Sequence, residues 1–110
     1  MSPEQPSGSK RFVVHAQVGK EPLGRWVGET LEPVAPAEVG LSDRLVVAFD
    51  DWAEFFDETG GQLEDPEVEE EFVGQGFKIA HRLRAEIKGS QVHLIHPLTG
   101  QPVEITRKKL

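Results

Sequence analysis

From Arg11 to Val18 apolar and polar positions alternate. Phe12, Val14, Ala16 and Val18 fall on one side, Val13, His15 and Gln17 on the other. A period of two predicts a strand with one buried face. Gly19-Lys20-Glu21-Pro22 then reads as a turn. The stretch Pro22 to Glu29 fits either a loop or a short second strand centred on Trp26-Val27, and Leu31 to Gly40, which carries Pro33 and Pro36, reads as a crossing loop. At Ser42 the period changes. Leu45, Phe49, Trp52 and Phe56 recur at helical spacing, with Ala48 and Phe55 at the edge of that stripe and Asp50, Asp51, Glu54, Asp57 and Glu58 opposite it. Ser42 is a good cap, and Gly60-Gly61 supplies the stop near Thr59.

Asp65-Pro66 predicts a second start, a capping residue followed by proline at the first helical position. The acids Glu67, Glu69 and Glu70 suit the positive end of the helix dipole. Val68, Phe72, Ile79, Leu83 and Ile87 form the inner stripe, and Lys88-Gly89 closes the helix. Gly74 and Gly76 lie mid-helix, where glycine costs about 1 kcal/mol relative to alanine. Gly76 falls on the inner stripe, which implies either a close helix–helix approach or a local break. Gln91 to His96 alternates again, Val92 and Leu94 against His93 and Ile95. After a turn at residues 97–100, Pro102 to Thr106 returns with Val103 and Ile105 inward. The order strand, a second strand or a loop, helix, helix, strand, strand predicts an α+β two-layer sandwich: a three- or four-stranded, mainly antiparallel sheet with two antiparallel helices on one face. On this reading residues 1–10, rich in Pro, Ser and Gly, are a disordered tail, residues 11–107 a single domain and residues 108–110 a basic tail.

Composition narrows the function classes. With 110 residues there is room for one modest core. The absence of cysteine excludes disulfides, thiolate metal sites and cysteine catalysis, and favours a cytoplasmic setting. No leader-like or membrane-spanning apolar run is legible, so no membrane partner is expected.

The net charge of −7 argues against nucleic-acid binding. Its placement is more informative. From Leu45 to Phe77 there are eleven acids and no Lys or Arg, whereas from Lys78 onward seven bases face two acids. An acidic face of this kind could meet a basic protein, with Val47 as an apolar point among Asp50, Asp51, Glu54, Asp57 and Glu58. The ordinary explanation is a solvated helix surface.

His93 and His96 point to opposite sides of a strand, which disfavours a joint metal site. His15 and His93 share the polar sides of their strands and could be neighbours, but no carboxylate stands at ligand spacing. The helical carboxylate pairs lie on a convex face that nothing desolvates, a poor place for acid–base catalysis. No phosphate-binding glycine loop and no nucleophile elbow is present. No catalytic residue, metal or cofactor is therefore expected.

The pattern Leu45-x6-Trp52-x2-Phe55-Phe56-Asp57, then Phe72-x3-Gly76-x2-Ile79-Ala80-x2-Leu83-x2-Glu86, then the terminal hairpin, resembles small actinobacterial proteins, some of them immunity-type, over about residues 43–106. The resemblance implies a small cytoplasmic inhibitor and carries over no catalytic residue. Together these features favour a non-enzymatic protein-binding domain that presents its acidic helical face to a basic partner. The alternatives are a small-molecule-binding or catalytic domain using the open sheet face around His15 and His93, and a structural homodimer.

Overall fold

The computed structural model describes residues 11–105; the two expected tails, residues 1–10 and 108–110, lie outside the described residues. Five strands form one sheet: β1 (Arg11–Val14), β2 (Leu23–Val27), β3 (Thr30–Pro33), β4 (Gln91–Ile95) and β5 (Pro102–Ile105). Between β3 and β4 come a short 3₁₀ turn at Pro36–Val39 and two helices, α1 (Asp43–Glu58) and α2 (Pro66–Glu86). The spatial order is β3-β2-β1-β4-β5. Three pairings are antiparallel, and the central β1–β4 pairing is parallel, with Phe12 opposite Val92 and Val14 opposite Leu94.

The architecture is the α+β sandwich that the periodicities imply, with five strands rather than three or four. The additional strand is β3, within the segment read as a crossing loop. Its four residues are all exposed, so they show no apolar alternation. It is an edge strand, where Pro33, lacking an N–H, is tolerated. The first strand is also shorter than its alternation implied. It stops at Val14, and Val18 stands 51% exposed in the loop that follows.

Each helix is specified at its ends. The Ser42 hydroxyl accepts the Leu45 N–H at 3.2 Å, and the Asp65 carboxylate accepts the Glu67 N–H at 2.9 Å. Gly60 and Gly61 both have positive φ, 68° and 81°, which a side chain would resist. The helices run antiparallel: Ser42 meets Glu86, Trp52 meets Phe72, and Gly76 lies against the Trp52 ring. Their inner stripes bury Leu45, Phe49, Trp52, Phe72, Ile79 and Leu83 against Phe12, Val14, Leu23, Val92, Leu94 and Ile105 of the sheet. Each fully buried side chain of this size contributes about 1.5–3 kcal/mol. One layer of helices covers one side of the sheet, and the other side is open.

Val68, assigned by its spacing to the inner stripe, is only half-buried and opens toward solvent. Gly76 resolves its two readings in favour of close approach, because α2 continues unbroken through it.

Candidate functional site

The first candidate surface is the outer side of α1. Val47, Asp50, Asp51, Glu54, Asp57 and Glu58 all lie exposed on this helix, and Val47 is 55% exposed. Their spacings confine them to one arc of about a third of the circumference. Asp57 also serves the fold itself. Its carboxylate accepts the Gly19 N–H at 2.9 Å and ties the β1–β2 loop to the end of α1.

The groove between α1 and α2 holds two hollows that charge along the chain did not reveal. One, of about 300 Å³, is lined by Asp51 and Phe55 from α1 and by Val68, Glu71, Phe72 and Gln75 from α2. The other, of about 810 Å³, lies further along, where Arg44, Leu45 and Ala48 face Lys78, Ile79 and Arg82. The groove therefore has an acidic end and a basic end. The sequence contained the signal, the spacing Arg44, Ala48, Asp51, Phe55 against Val68, Glu71, Gln75, Lys78, Arg82. Reading it required knowing which turns of the two helices lie side by side.

Near the basic end, Glu86 closes the helix pair. Its carboxylate accepts the Ser42 N–H at 2.8 Å and the Ser42 hydroxyl at 2.6 Å, and Arg82 lies 3.5 Å away. Burial alone would raise this carboxyl's pKa, but the hydrogen bonds from Ser42 and the nearby Arg82 outweigh it and hold the group below its ordinary value.

The open side of the sheet is the third surface. A hollow of about 530 Å³ brings His15 and His93 together with Arg11, Trp26, Leu31 and Ile95. The two histidines share a face, as their strand positions implied. They are offset by one row, because His93 stands opposite Val13 rather than His15. The Arg11 guanidinium lies 5.4 Å from the centre of the Trp26 ring. Half-burial lowers the His15 pKa, favouring the neutral ring. Among the described residues no three His, Asp or Glu side chains group as a metal site. No helix among them is long and apolar enough to cross a membrane.

The described residues thus form an α+β sandwich with an exposed acidic helix face and a charged interhelical groove. The family described as Serratia CdiI immunity protein-like matches residues 10–96, most of the chain, and the protein belongs to that family. The match takes in β1 to β3 as well as the helices and β4, and so reaches further toward the amino terminus than the helical pattern that carried the resemblance. No curated protein matches the chain significantly.

Proposed function

We propose that this chain is a cytoplasmic immunity protein that neutralises a toxin by covering a basic surface of it with the acidic outer face of α1. Family membership supports the class of function. The observation that carries the choice of surface is the exposure, on one arc of α1, of Val47 among Asp50, Asp51, Glu54 and Glu58, within an interval that contains no cation. A concentrated negative field speeds the encounter with a cationic partner more than it tightens the final complex. That suits an inhibitor that must reach its toxin before the toxin reaches a target.

The test is the association rate, measured against salt by stopped flow, with the protein partner recovered by affinity capture on this chain. Replacing Asp50, Glu54 and Glu58 by Lys should slow association most at low ionic strength, where screening is weak. Val47→Asp should act mainly on dissociation. If the triple variant associates as fast as the parent at every salt concentration, the acidic face has no part in recognition. A second reading rests on the open sheet face, where Arg11, His15 and His93 around Trp26 would suit a small anionic ligand. Isothermal titration with inorganic phosphate and with short carboxylic acids checks it.

A further inference from the structure

We infer that the partner segment seated on the helical layer is bipolar in charge: cationic where it crosses Asp51 and Glu71, anionic where it crosses Arg44, Lys78 and Arg82, with apolar side chains between. This rests on the protein-binding reading and adds, beside the basic surface met by the outer face of α1, a charge-patterned segment seated in the interhelical groove.

The argument starts from spacing. Arg44, Ala48, Asp51 and Phe55 follow one another at intervals of four, three and four, one stripe of α1. Val68, Glu71, Gln75, Lys78 and Arg82 do the same on α2. The antiparallel packing sets the two stripes side by side as the banks of one groove. Asp51 and Glu71 share the acidic hollow, and Arg44 shares the other with Lys78 and Arg82. Each end of the groove thus receives the same sign from both helices.

That arrangement does nothing for the isolated fold. Reversing the order of charges on either helix would set Arg or Lys across from Asp or Glu and create cross-groove ion pairs. As it stands, like charges face each other, and the one ion pair among the described residues is Arg82–Glu86, within α2. Asp51, Glu71, Arg44 and Lys78 are all exposed, and among the described residues none of them forms an ion pair. The floor between them is apolar, formed by Ala48, Phe55, Val68 and the edges of Leu45 and Ile79. A groove of this kind is complementary to a protein segment with the opposite order of charge. From Arg44 to Phe55 the helix rises about 16 Å, which matches about three turns of a partner helix.

The experiment uses synthetic peptides, so it needs no toxin. Three fluorescent peptides of equal length share one apolar stripe. One carries Lys at one end and Glu at the other, one carries only Lys, and one only Glu. Binding is read by anisotropy at low salt. The wild-type protein should prefer the bipolar peptide by about tenfold, the sum of several weak exposed pairs. The variant Arg44→Glu/Lys78→Glu should switch its preference to the all-Lys peptide, and Asp51→Lys/Glu71→Lys to the all-Glu peptide. All four positions are exposed, and circular dichroism establishes that each variant is folded. A wild-type preference for the all-Lys peptide, an unchanged order in the two variants, or no binding of any peptide would overturn the inference. The partner-association test of the acidic face can succeed or fail separately, because it varies Asp50, Glu54 and Glu58, none of which lines either hollow.

Discussion

The indole of Trp52 constrains its neighbours in three ways. Its Nε1–H donates to the Phe72 carbonyl at 3.0 Å inside the core, so the ring cannot turn over without stranding a buried donor. It stacks on Phe72 with centroids 4.8 Å apart. It also occupies the space above Gly76, where an added Cβ would come within 2.8 Å of Trp52 Cζ2. Removing the ring in Trp52→Ala should cost about 3–5 kcal/mol. The two mid-helix glycines give a sharper comparison. Gly76→Ala should destabilise by about 1–3 kcal/mol through overpacking, although alanine is the better helix former. Gly74→Ala, with nothing within 4 Å of its new Cβ, should stabilise by up to about 1 kcal/mol. Chemical denaturation of the two variants measures both signs. Helical periodicity placed Gly76 on the inner stripe, but only the position of the Trp52 ring distinguishes a packing glycine from a break.

Among the elements, the helices were legible nearly to the residue, because Ser42, Asp65-Pro66 and Gly60-Gly61 mark their ends and their apolar stripes repeat over several turns. β3 was not legible. Its backbone pairs with β2, Trp26 opposite Leu31, while its side chains meet solvent, so nothing in its composition separates it from a loop. The contact that joins the start of α1 to the end of α2, Ser42 with Glu86, was also hidden, since a capping serine and a helical glutamate each look ordinary alone. The contact has a pH signature. The folded Glu86 carboxyl sits below its ordinary 4.5, so the unfolded chain takes up its proton first as the solution is acidified. Its contribution to stability is complete above the unfolded value and is lost as pH falls through the folded one. Melting temperatures recorded from about pH 6 to pH 3 should fall less steeply for Glu86→Gln than for the parent, and the two curves should converge at the acid end.

At the scale of the whole molecule the chain segregates charge twice: along the sequence, where eleven acids occupy Leu45 to Phe77, and along the groove, where the fold lays Arg44 beside Lys78. The first is visible in the sequence and the second requires the packing. A net charge of −7 with one ion pair among the described residues implies self-repulsion in the folded state. Raising salt from about 0.01 M, where screening extends about 30 Å, to about 0.5 M should therefore raise the melting temperature of the parent. The Asp50, Glu54 and Glu58 to Lys variant, which removes most of that repulsion, should respond less; scanning calorimetry of the two proteins decides. The parallel pairing of β1 with β4 bears on how the chain is made. β2 leaves the ribosome directly after β1, whereas β4 emerges only after both helices. Until residues 91–95 are free, the strand destined for the middle of the sheet keeps one edge open, with Val92 and Leu94 not yet beside Phe12 and Val14. An open edge beside apolar side chains invites pairing with other chains, so products ending before Gln91 should aggregate rather than persist in solution, which sedimentation of such fragments checks.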